Sequence, residues 1–110
     1  MKEVKRPWGD FKQFILNKNC TVNIIIVNPN QALSLQKHKK RRETWFFLTP
    51  GYAQVGKKKI RVKKGGLVKI NKNTVHRLFA KDKRVEILEI TEGKYSKKDI
   101  IRLEDKYGRK

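Results

Sequence analysis

The chain has 110 residues and a mass of 13.0 kDa, with twenty-nine Lys and Arg against ten Asp and Glu and a net charge of +19. That length fits one domain over 1–110 and excludes from this chain any chemistry needing a separate nucleotide-binding domain. The longest apolar runs, Ile24-Ile25-Ile26-Val27 and Trp45-Phe46-Phe47-Leu48, fall far short of the ~20 residues of a membrane-spanning helix. No apolar stretch of a secretory signal follows the basic start, and the single cysteine, Cys20, has no internal disulfide partner; these features set the expectation of a soluble cytoplasmic protein.

In chain order, short β-rich runs alternate with turn residues. Residues 21–27 are β-branched and apolar and end at Asn28-Pro29-Asn30. Residues 32–38 alternate, with Leu33 and Leu35 on one face and Ser34, Gln36 and His38 on the other. Residues 43–49 are aromatic-rich and stop at Pro50-Gly51. Residues 52–55 and 60–62 flank a Gly56-Lys57-Lys58-Lys59 turn and predict a hairpin. Further strands are predicted at 67–70, 76–80 and 84–91. Residues 97–106 bring Ile100, Ile101 and Leu103 close together, which predicts one short helix or turn. The repeated strands argue for an antiparallel sandwich or barrel.

The positive charge is spread along the chain, and the aromatics sit in apolar strand-like runs rather than between the basic residues. A single-strand-binding platform needs the opposite arrangement. No helix-turn-helix, zinc-finger or RNP pattern is present. A solvated lysine-rich surface is therefore the first reading, phosphorylated small substrates the second, and a nucleic-acid-binding β-barrel the third.

His38 and His76 are the only histidines. Gln36 and His38 share a strand face, and Glu43 follows the basic turn 39–42, so the returning strand is expected to face them as a hairpin neighbour. His76 opens a later strand. Two imidazoles, a carboxylate and an amide oxygen form a donor set for a borderline divalent metal with open positions for water or substrate. The alternative is an exposed His38 and a His76 packed at a strand end.

The segment Leu33-Ser34-Leu35-Gln36-Lys37-His38-Lys39-Lys40-Arg41-Arg42-Glu43-Thr44-Trp45 resembles the first metal motif of the cupins, in particular that of type II mannose-6-phosphate isomerases. Arg6-Pro7-Trp8-Gly9 at the start, His76-Arg77-Leu78, Glu89-Ile90 and the closing Arg102-Leu103-Glu104-Asp105-Lys106-Tyr107-Gly108-Arg109 extend the likeness over nearly the whole chain. Asn30 and Asn73 stand where that family has glycine, and Ala80 where it has asparagine; asparagine tolerates the left-handed backbone that such glycines supply.

The resemblance implies an all-β cupin fold, a double-stranded β-helix or jelly-roll barrel, closed by the short C-terminal helix or turn. It implies one divalent metal, zinc by default with manganese, cobalt, nickel or iron as alternatives, held by Gln36, His38, Glu43 and His76. It also implies Arg41 as a catalytic, substrate-facing arginine and a homodimeric assembly. Glu89 is a candidate base. Arg6, Arg102 and Arg109 are candidate phosphate-binding residues, since a planar guanidinium suits a phosphate better than lysine does. Trp8 and Trp45 are assigned to packing. The expected activity is aldose–ketose isomerisation of mannose 6-phosphate to fructose 6-phosphate through an enediolate stabilised by the metal. The runner-up is a cupin that binds or modifies another sugar or small molecule.

Overall fold

The computed structural model describes residues 1–109. Eleven strands follow one another: β1 (Lys2–Arg6), β2 (Gly9–Gln13), β3 (Thr21–Val27), β4 (Leu35–Lys37), β5 (Arg41–Phe47), β6 (Gly51–Val55), β7 (Lys58–Val62), β8 (Leu67–Ile70), β9 (His76–Phe79), β10 (Val85–Gly93) and β11 (Ile101–Glu104). All pairings are antiparallel. They build a four-stranded sheet in the order β3-β10-β5-β8, a five-stranded sheet in the order β11-β4-β9-β6-β7, and the separate hairpin β1-β2.

The predicted all-β architecture stands, with three corrections. The first concerns residues 97–106, expected as one short helix or turn, where Lys97-Lys98 turn and no helix forms. Ile101–Glu104 is a strand that pairs with β4, and a turn follows at Lys106-Tyr107-Gly108. Closely spaced Ile and Leu suit either period, and here an unsatisfied edge of β4 decides for strand. The second concerns β4 and β5, which are not a hairpin: β4 pairs with β9 and β11 and β5 with β10 and β8, so the chain changes sheets at Lys39-Lys40. The third is Trp8, which is 73% exposed and stacks only on Phe11 of its own hairpin, so it has no packing role in the core.

Alternation along the strands decides what the barrel holds. In β5, Arg41, Glu43, Trp45 and Phe47 point inward while Arg42, Thr44 and Phe46 point away. In β10, Val85, Ile87 and Glu89 are buried on the facing side. The register sets Ile87 opposite Phe47, Glu89 opposite Trp45 and Thr91 opposite Glu43. One end of the interior is therefore apolar, with Phe47, Ala53, Leu78, Val85 and Ile87 at its centre. The other end carries the charged and polar side chains. The outward row of β3 is apolar as well, with Val22, Ile24 and Ile26 each half or more exposed.

Backbone details hold the polar end in shape. Asn30 (φ 62°) and Asn73 (φ 61°) both adopt the left-handed conformation expected of them. The Asn73 amide donates to the His38 carbonyl at 2.7 Å, tying the approach to β9 onto the end of β4. Gly93, at φ +104°, lies opposite Arg41, and a Cβ there would stand 2.4 Å from the Lys40 carbonyl oxygen. Only glycine lets β10 end so close to the turn.

Candidate metal centre

His38, Glu43 and His76 arrive from β4's end, β5 and β9, and their ligand atoms all lie within 4.8 Å of one another. All three are buried, at 3%, 4% and 2% exposure. They share a cavity of about 480 Å³ with Gln36, Arg41, Glu89, Asn23 and Tyr95. Gln36 sits directly opposite His76 in the β4–β9 register. The structure thus brings together Gln36, His38, Arg41, Glu43, His76 and Glu89.

Both imidazoles are oriented by backbone carbonyls. His38 Nδ1 lies 2.5 Å from the Asp99 carbonyl oxygen and His76 Nδ1 lies 2.8 Å from the Thr74 carbonyl oxygen. A carbonyl oxygen only accepts, so each Nδ1 carries the hydrogen, and in the neutral ring each Nε2 keeps a bare lone pair. Burial holds both rings neutral. Desolvation pushes His76 down to about 4, and also lowers His38, with the Arg41 charge adding to it.

The two Nε2 atoms face the Glu43 carboxylate, His38 Nε2 at 3.3 Å from Oε2 and His76 Nε2 at 4.0 Å from Oε1. Lone pairs and a carboxylate turned toward one another repel unless something positive lies among them, and the Arg41 guanidinium supplies one positive group beside His38 and Glu43. Two neutral imidazoles and a carboxylate are also the donors that divalent zinc and its neighbours accept. The residues present therefore fit a divalent cation, and the carbonyl-to-imidazole bonds are the outer contacts that commonly orient such ligands.

Trp45 forms the floor. Its Nε1–H donates to Glu43 Oε1 at 2.9 Å, and its ring meets His76 edge-on with centroids 5.7 Å apart. Glu89, 6% exposed, accepts from Asn23 Nδ2 at 3.3 Å. Burial first, then the Glu43 charge beside it, pushes its carboxyl up to about 7. Arg41, 9% exposed, donates from Nη2 to His38 Nε2 at 3.1 Å and places Nε 3.4 Å from Glu43 Oε2, while its Cζ lies 4.3 Å above the Tyr95 ring.

The three other arginines are placed differently. Arg6 is exposed on the β1-β2 hairpin and bonds only the Lys5 carbonyl. Arg109 is clasped by both carboxylate oxygens of Asp105, at 2.8 and 2.9 Å, and lines a neighbouring pocket with Tyr107. Arg102 is half-buried opposite Gln36 in the β11–β4 register, with its buried Nε unpartnered, but it does not line the cavity. Sequence reasoning missed Asn23, Tyr95 and Asp99.

Two sheets closed around a His-Glu-His cluster at one end define a cupin, a double-stranded β-helix. Solved structures agree in fold. A double-stranded β-helix protein from Klebsiella pneumoniae superposes with TM-score 0.68 at 13% identity, over 83% of this chain and 80% of that one. A cupin-2 domain from Rhodospirillum rubrum gives 0.63 at 22% identity, over 79% and 64%. The profile of the family described as "Mannose-6-phosphate isomerase C-terminal" matches residues 1–105, and the chain belongs to that family.

Among curated relatives, the alginate biosynthesis protein AlgA of Pseudomonas aeruginosa is 39% identical over 111 residues, covering 97% of this chain and 23% of AlgA. The xanthan biosynthesis protein XanB of Xanthomonas campestris is 34% identical over 112 residues, covering 98% and 24%. The mannose-1-phosphate guanylyltransferase RfbM of Salmonella typhimurium is 35% identical over 111 residues, covering 97% and 23%. The chain spans about a quarter of the length of these relatives. Their names correct the expected activity: they are called guanylyltransferases and biosynthesis proteins, not mannose-6-phosphate isomerases, so the aldose–ketose assignment drawn from the motifs is withdrawn.

Proposed function

We propose that this chain is a metal-dependent sugar-phosphate-binding cupin whose ligand is a mannose bearing an anomeric phosphate, the compound class in the name of the guanylyltransferase relatives. The observation that carries the reading is the convergence of His38 Nε2, His76 Nε2 and a Glu43 oxygen inside one buried cavity. His38, His76 and Glu43 would hold the cation, with Gln36 beside them. When bound, a divalent cation supplies Lewis-acid binding of sugar oxygens in its open positions.

The chain's own residues supply the rest. Thr74 and Asp99 aim the two imidazoles. Trp45 holds the Glu43 carboxylate in place through its Nε1–H. Glu89, protonated over more of the pH range than an ordinary carboxyl, offers a sugar hydroxyl either a donor or an acceptor. Arg41 has Nε and Nη1 buried without hydrogen-bond partners, although Nε lies 3.4 Å from Glu43 Oε2, and such free donors suit a phosphate.

The test is calorimetric titration of mannose 1-phosphate into zinc-loaded and chelator-treated protein, with mannose and GDP-mannose as comparisons. The reading expects binding of the phosphorylated sugar to the loaded protein, its loss on chelation, and little affinity for unphosphorylated mannose. Equal binding with and without zinc, or none in either state, overturns it.

A further inference from the structure

The His38 imidazole has one free lone pair, because its Nδ1–H is engaged by the Asp99 carbonyl and leaves Nε2 bare. That lone pair is already taken: Arg41 Nη2 donates to it at 3.1 Å. The same guanidinium sets Nε 3.4 Å from Glu43 Oε2, which itself lies 3.3 Å from His38 Nε2. Arg41 thus bridges two of the atoms that a divalent cation would need. Zinc approaches such nitrogens and oxygens to about 2.0–2.2 Å along the lone pair, and one lone pair cannot serve a metal and an N–H together. The guanidinium is also poorly satisfied where it lies, nine-tenths buried with Nε and Nη1 lacking hydrogen-bond partners. Its Cζ lies 4.3 Å above the ring of Tyr95, a residue 40% exposed.

From this geometry we propose that Arg41 is an internal cation that competes with the metal for His38 and Glu43, and that metal entry expels the guanidinium from the cluster, freeing its donors for an anionic ligand. The proposal rests on the metal-cupin reading and adds an order to it: metal first, anion second. An arginine that merely lined the cavity would assist the anion and leave His38 open. Here the guanidinium itself closes the cluster, so metal affinity is set partly by the work of displacing it.

Two measurements test this. Zinc is titrated calorimetrically into chelator-treated wild type, Arg41→Met and, as a control for bulk charge, Arg42→Met. Arg42 is exposed, points away from the cavity and pairs with Glu92 at 3.3 Å. Because a hydrogen bond from a charged group is lost, Arg41→Met is expected to bind zinc about tenfold more tightly than wild type, and Arg42→Met to stay within about twofold. The second measurement needs no variant. A crystal structure of zinc-loaded wild type is expected to show Arg41 Nη2 beyond hydrogen-bonding distance of His38 Nε2. Equal or weaker binding by Arg41→Met, equal strengthening in both variants, or a zinc-loaded structure with the Arg41–His38 bond intact overturns the proposal. Absence of zinc binding in wild type as well as in Arg41→Met overturns the metal reading itself, a result distinct from the others.

Discussion

Asp99 reaches back across 61 positions to hold His38: its backbone carbonyl accepts from Nδ1, while its carboxylate accepts from the Lys39 amide at 3.0 Å and the Lys40 amide at 2.9 Å. The Lys39 amide first, and the Lys40 amide after it, hold the Asp99 carboxyl below the usual carboxylate range against the opposing effect of desolvation. One residue therefore pins the turn where the chain changes sheets and selects the His38 tautomer whose lone pair faces Glu43.

Asp99→Ala removes the carboxylate and frees the carbonyl to drift. Losing an outer contact of this kind lowers metal affinity about 10–100-fold. Zinc titration reads the loss. Nitrogen NMR of the imidazoles is expected to show His38 losing its protected Nδ1–H while His76 keeps its own, because Thr74 is untouched.

Trp45→Phe keeps most of the ring and deletes the indole N–H. Glu43 Oε1 then loses a 2.9 Å donor inside a site that is 4% exposed. The expected cost is about 1–3 kcal/mol, that of a buried acceptor left without its partner. Urea unfolding of the chelator-treated protein measures it.

Glu89 and His76 tilt stability with pH in opposite directions. Glu89 has its folded pKa raised to about 7 from an ordinary 4.5, so its contribution is fully present below the ordinary value and is lost as pH rises through about 7. His76 has its folded pKa lowered to about 4 from 6.5, so folding is penalised as pH falls below the ordinary value. Glu89→Gln removes the first slope and leaves the second. In chelator-treated protein the urea midpoint of Glu89→Gln, measured relative to wild type, is expected to rise between pH 5 and pH 8; a constant difference contradicts the assignment.

Much of this site was legible in the sequence because alternation in a strand is a local property. Ser34, Gln36 and His38 fall on the inward face of their run, as read from their spacing, and Asn30 and Asn73 take the left-handed backbone expected of glycine replacements. Pairing is not local. Nothing in residues 36–43 says that β4 joins β9 and β11 while β5 joins β10 and β8, so the sheet change at Lys39-Lys40 was read as a hairpin. Asp99 and Tyr95 escaped notice for the same reason, since each acts on a residue more than fifty positions away. The β1-β2 hairpin was also missed: its strands bury little and lack the apolar alternation that marks a strand. The activity was a different kind of error, because shared motifs identify a domain and its donor set, while the reaction depends on what lies over them.

The account stands on a cation being gripped by His38, Glu43 and His76, and metal stoichiometry tests that most directly. Wild type and the double variant His38→Asn/His76→Asn are stripped with chelator, incubated with zinc, freed of excess by gel filtration and analysed for zinc per chain. The account predicts one zinc per chain in wild type and none in the double variant, with both proteins still folded by circular dichroism. Folded wild type that retains no zinc, or a double variant that retains as much as wild type, contradicts it.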